Sequence, residues 1–219
     1  MAHPLGDEQA REQAAFFGQV TASVTHEIKN HLALINEYNG LLADLLAAHA
    51  RGRTLDLARL ASLSAEVRKQ VRQAGEVVGQ LNRFAHSVDS PVEEVDLGQL
   101  VATFAALCAR RAQRRRMDLS LALPEPSPTL VCQPFLVLLA CHCLLEAVLA
   151  ACPEGSSLAI SLAGGPERPR LVFACGAPLA GEGRLPPWLL QNLNASLEVD
   201  PSGCLALVLG PAPAGPAQT

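Results

Sequence analysis

From Gln9 to Ala50 the chain contains no proline, and only Gly18 and Gly40 weaken a helix there. Apolar residues recur at Phe16, Val20, Val24, Ile28, Leu32, Ile35, Tyr38, Leu42, Leu45 and Leu46, mostly three or four apart. That spacing predicts one long amphipathic helix. Arg51, Gly52, Arg53 and Thr54 supply a turn and a cap. A second series, Leu57, Leu60, Leu63, Val67, Val71, Ala74, Val78, Leu81 and Ala85, keeps the same rhythm, so a second long helix is expected to return antiparallel. Two helices bury only one seam. A hairpin this apolar is therefore expected to pair with a second copy into a four-helix bundle, giving a homodimer.

Ser90 and Pro91 end the hairpin, and Asp96 is placed to cap a helix running through Leu97, Leu100, Phe104 and Leu107. Beyond it the pattern predicts a strand at Asp118–Leu123, a proline-rich turn and an apolar helix from Gln133 to Ala151. Strands are then expected at Leu158–Leu162, Leu171–Ala174, Leu197–Val199 and Cys204–Leu209, with a short helix at Pro187–Leu193. The expected fold class is α+β: a long helical hairpin over residues 1–90, a small α/β sandwich with helices on one face over 91–212, and a disordered tail at 213–219. Hydrophobic residues make up 49% of the chain and aromatic ones only 4%, so the core must be built chiefly from Leu, Val and Ala.

A formal net charge of −4 gives no general attraction to nucleic acid or to an anionic membrane, and neither is expected as a partner. Charged residues throughout Met1–Gln19 predict neither a secretory signal nor a membrane anchor, hence a cytoplasmic location. The seven cysteines lack framework spacing and lie among Leu and Val, and are read as buried thiols rather than disulfides. Cys141, His142 and Cys143 are adjacent, so on a helix their side chains diverge by about 100° and no metal site is expected.

On the first helix, advancing about 100° per residue gathers Val20, Val24, Ile28, Leu32, Ile35, Tyr38, Leu42 and Leu46 into an arc of about 120°. His26 falls nearly opposite the centre of that arc, with Asn30 one turn on and Glu27 and Lys29 to either side. Imidazole suits transient phosphoryl chemistry, because one ring nitrogen attacks while a hydrogen bond to the other fixes the tautomer. Glu27 is the natural partner for that bond.

The stretch from Phe17 to Ile35, with His26-Glu27-Ile28-Lys29-Asn30 at its centre, resembles the phosphoacceptor box of histidine kinases. The resemblance implies that His26 carries a phosphoryl group, that Glu27 orients or activates it, and that Asn30 places water when the partner is dephosphorylated. His31 stands where that family very often has proline; its angle puts it on the apolar stripe, as a packing residue.

The second domain is similar in order of elements to the family's gyrase-type ATP-binding domain and departs from it at the functional positions. His142 and Glu146 replace the two asparagines of the magnesium-binding box, and Ala174-Cys175-Gly176-Ala177-Pro178 stands where an adenine-recognising aspartate is expected. Between Leu179 and Cys204 no paired glycine box forms a phosphate lid, and Gly181-Glu182-Gly183 is too weak to replace one. Losing the metal site and the phosphate cradle removes the main electrostatic terms of phosphoryl transfer from a nucleotide, so no ATP binding is expected. Arg110, Arg111, Arg114, Arg115 and Arg116 read as a solvated helix end, with docking of an acidic partner as the alternative.

Taken together, the resemblance implies a dimeric histidine phosphotransfer protein. His26 would relay a phosphoryl group between receiver-domain aspartates, Lys29 would help dock the receiver, and an upstream sensor kinase is a further possible partner. No cofactor or metal is expected on this chain, magnesium being supplied by the receivers. The alternatives are a receiver phosphatase acting through Glu27 and Asn30, a non-enzymatic adaptor that sequesters a receiver, and, less favoured, an active sensor kinase.

Overall fold

The structure is a computed structural model, and it describes residues 4–89, 92–165, 167–176, 185–199 and 203–210. The linker expected at Ser90 and Pro91, the segment holding Ala177, Pro178 and Gly181-Glu182-Gly183, and the tail expected at 213–219 lie outside the described residues. The chain forms two compact units, one made of Met1–Phe16 with Arg83–Thr219 and the other of Phe17–Asn82.

The second of these units is a helical hairpin. Helix α1 covers Pro4–Ala50 and helix α2 Leu57–His86. The break between them uses Gly52 at φ 88, a left-handed conformation that costs glycine least. Asp56 caps α2, its carboxylate accepting from the Arg59 N–H at 2.9 Å. Val20, Val24, Gln70 and Val77 are buried in the single chain, whereas Leu32 is 55% exposed, Leu46 53% and Leu57 69%. The apolar stripe read from the sequence is thus only partly covered within one hairpin.

The other unit is α+β. Strand β1 (Glu93–Asp96) pairs antiparallel with β3 (Thr129–Cys132) in a two-stranded ribbon. A five-stranded sheet is formed by β2 (Asp118–Ala122), β4 (Ser157–Ala163), β5 (Arg170–Cys175), β6 (Ser196–Val199) and β7 (Leu205–Val208), in the order β2-β4-β5-β7-β6. Only β2 and β4 run parallel. Helices α3 (Leu97–Arg114), α4 (Pro134–Ala151) and α5 (Pro187–Asn192) complete it. The β4 side chains alternate, with Leu158, Ile160 and Leu162 buried, as a half-buried strand requires. Phe173 of β5 meets Phe104 of α3 edge to face, ring centroids 6.4 Å apart.

Helix α4 is apolar on nearly every face because α3, β5 and α5 all pack against it. Among the described residues it is the one helix long and apolar enough to cross a membrane, and two thirds of that stretch is buried inside the protein. Asp96 caps α3 as the sequence predicts, accepting from the Gln99 N–H at 2.9 Å, and this bond holds its carboxyl below the usual range.

The other end of α3 closes on paired bonds from Met117 N–H to the Ala112 carbonyl and from Arg116 N–H to the Gln113 carbonyl. Arg116 occupies the left-handed position there, at φ 54. A side chain in that position is disfavoured relative to glycine. Arg116→Gly is therefore expected to stabilise the protein by about 0.5–1 kcal/mol, after allowing for glycine's greater unfolded-state freedom. A rise in the urea midpoint with unchanged slope is the check.

Candidate functional site

His26 lies mid-helix on α1 and is exposed, as are Thr25 and Lys29. Val24 is 2% exposed, while Ile28 is half-buried. His26, two residues from each, falls on the opposite side of the helical wheel and so turns toward water. Glu27 and Asn30 are half-buried. One short stretch of rigid helix thus carries His26, Glu27, Lys29 and Asn30. Among the described residues no hydrogen bond joins His26 to Glu27, and the reason is geometric: neighbouring helical side chains diverge by about 100°. The ring's second nitrogen is available to a partner.

His31 behaves differently. It is half-buried on the α2 side, and its Nδ1 lies 2.8 Å from Oε1 of Gln70, a buried side chain on α2. The ring therefore donates from Nδ1, and a polar pair sits in the apolar seam. The packing role read from the sequence acquires a hydrogen bond. Gln70 was legible in principle, because it continues the Leu63 and Val67 register into Ala74. A polar residue in such a register commonly fixes helix alignment.

In the α/β unit, His142 and Glu146 stand one turn apart on α4. The His142 ring is buried, with the Phe16 ring 4.7 Å away, and its Nδ1 finds no hydrogen-bond partner. Burial, and secondarily the positive charge of Arg111, press its pKa down to about 4. The carboxylate of Glu146 lies 2.7 Å from the Arg111 guanidinium. Neither side chain suits magnesium, since one is covered by an aromatic ring and the other is already neutralised by a cation. Among the described residues no three His, Cys, Asp or Glu side chains converge as a metal site.

No protein-family model matches the sequence, and no curated protein does. Among solved structures the chain is similar to the catalytic domain of the histidine kinase ThkA, at 11% identity over 56% of this chain and 98% of that one, with a TM-score of 0.46. It is similar to the Acinetobacter baumannii histidine kinase AdeS, at 14% identity over 79% of this chain and 94% of that one, with a TM-score of 0.44. A bacterial phosphotransferase matches at 16% identity over 89% of this chain and 96% of that one, again with a TM-score of 0.44. The functional reading rests on the residues themselves.

Two expectations from the sequence need correction. The arginines ending α3 are not uniformly solvated: Arg111 pairs with Glu146, and Arg115 donates to the carbonyls of Leu149, at 2.7 Å, and Cys152, at 3.4 Å. A guanidinium from α3 thereby satisfies carbonyls left without partners at the end of α4. Nor are all the cysteines thiols, because Cys152 and Cys175 form a disulfide between the end of α4 and the end of β5. Their separation of 23 residues carries no framework pattern; the topology alone brings them together. Cys108, Cys132, Cys141 and Cys143 do remain thiols, and burial pushes each pKa up, to about 12 for Cys108 and about 11 for Cys132 and Cys143. Those four stay protonated and unreactive at neutral pH.

Proposed function

We propose that this protein is a histidine phosphotransfer component of two-component signalling, in which His26 accepts a phosphoryl group from an aspartyl phosphate on one receiver domain and donates it to an aspartate on another. The observation that carries the reading is an exposed imidazole on a polar helix face, inside the box His26-Glu27-Ile28-Lys29-Asn30. In the accepting step a ring nitrogen attacks phosphorus, the acyl–phosphate bond breaks, the receiver carboxylate leaves, and the other ring nitrogen gives up its proton. Lys29, exposed one turn away, contacts the receiver; Glu27, next to His26 on the helix, lends a nearby negative charge that favours attack by the ring, and Asn30 would place water only in the phosphatase alternative. Magnesium comes with the receiver. The condition of His142 and Glu146 supports a relay without nucleotide, since the face that would hold a metal is covered at one position and paired at the other.

Pairing of two copies belongs to the same proposal. Leu32, Leu46, Leu57, Val71 and Val78 leave large apolar area in water, and burial against a second hairpin would recover about 25 cal/mol for each Å² removed. Sedimentation equilibrium is expected to return twice the chain mass of 23.1 kDa.

The test of the relay is to incubate wild type and His26→Ala with receiver domains carrying radiolabelled aspartyl phosphate, following the label on both proteins. Wild type should gain label as the receiver loses it, and the variant should gain none. Binding without label would favour the adaptor, and loss of receiver label without phosphohistidine would favour the phosphatase.

A further inference from the structure

Arg114 in the last turn of α3 and Arg115 just beyond its end each lie about one helical turn from Arg111, and the three line one cleft. With Glu146, Leu149 and Ala150 of α4 they line a cleft of about 410 Å³ that is open to solvent. Three guanidiniums against one carboxylate leave it with two net positive charges, on a chain whose formal net charge is −4. Arg115 turns one nitrogen to the α4 carbonyls, offsetting the negative ends of both helices, while its Nε–H is buried without an acceptor. Arg114 is exposed at the rim. Leu149 and Ala150 add a small apolar wall.

We infer that this cleft is a docking site for an acidic segment of a partner protein. The arrangement favours carboxylate side chains over a compact phosphate. Glu146 sits among the arginines and would repel a dianion, and the cation donors stand along a helix turn, matching monovalent carboxylates spaced along a peptide. Guanidinium forks bind carboxylates bidentately, and the flanking apolar wall takes the aliphatic stems between charges. A positive spot on an otherwise acidic protein also steers the encounter and rejects basic partners.

Docking at this cleft does not depend on the chemistry of His26 and is tested without it. Uniformly labelled protein is titrated with a hexaglutamate peptide at low salt and at high salt, while the Nε–Hε resonances of Arg111, Arg114 and Arg115 are followed by NMR. Parallel titrations use inorganic phosphate and a short oligothymidylate. The peptide should shift these resonances saturably, more weakly at high salt, and Arg114→Glu, which alters an exposed side chain and should leave the fold intact, should weaken binding by roughly tenfold or more. Equal binding by the variant, or no shift in any titration, overturns the proposal. So does a response to phosphate alone, which would mark a small-anion pocket, or tighter binding of the oligonucleotide than of the peptide.

Discussion

Replacing Phe16 by alanine is expected to cost about 3–5 kcal/mol of stability, the range for truncating a buried aromatic ring. Phe16 is 2% exposed and joins the first turns of α1 to the α/β unit. Its ring meets Phe84 edge to face at 5.3 Å, Phe135 at 5.6 Å and His142 at 4.7 Å. Truncation leaves a cavity walled by three rings that cannot all move in, because Phe84 is itself fully buried and Phe135 is fixed on α4. A second tie nearby, from Trp188 Nε1 to the Glu12 carboxylate at 3.1 Å, keeps the segment from detaching outright. The effect should appear as a lowered urea midpoint and a fall in melting temperature of roughly 10 °C. Phe16→Leu, which fills much of the volume, should recover more than half of the loss. A loss under about 1 kcal/mol for the alanine variant would mean the ring is not part of the core.

The second large effect is acid sensitivity from His142. Its pKa in the folded protein is about 4, against an ordinary value of 6.5, and burial is the main cause. The folded state thus resists protonation while the unfolded chain accepts it. Stability from this group is complete above pH 6.5, declines as the pH falls below that value, and stops declining near pH 4, where the folded ring takes its own proton. The total is about 3 kcal/mol, at about 1.4 kcal/mol for each pH unit. His142→Phe removes the titrating group, and with it a buried nitrogen lacking a partner, so it should be near neutral at pH 7. Urea midpoints of wild type and variant are expected to diverge steadily from pH 6.5 to pH 4. Superimposable profiles would show that the ring is hydrated.

How much of this was legible in the sequence follows from the range of the forces involved. The helices were, because Val20, Val24 and Ile28 on α1 and Leu63, Val67 and Ala74 on α2 repeat with the helical period. So was the Asp96 cap, a bond across three residues. The β1–β3 ribbon was not: Glu93-Glu94-Val95-Asp96 is too short and too charged to show alternation, and pairing with Thr129–Cys132 makes it a strand. The outward position of His26 could be read from one helix alone. What surrounds His142 could not, because Phe16 and Arg111 reach it from distant parts of the chain. The same holds for Arg115, whose partners lie at the end of another helix, and for Cys152 with Cys175, which meet only when α4 lies against β5.

The central claim is that the outward-facing ring of His26 is where a phosphoryl group rests between two receivers. The most direct measurement incubates the protein with an aspartyl-phosphorylated receiver domain and quenches in alkali, which spares the nitrogen–phosphorus bond and hydrolyses the acyl phosphate. The modified residue is then located by tandem mass spectrometry. Phosphate on His26, appearing as the receiver is discharged and leaving again when a second unphosphorylated receiver is added, is the expected result. Phosphate on any other residue, or a receiver that discharges while His26 stays unmodified at every time point, would contradict it.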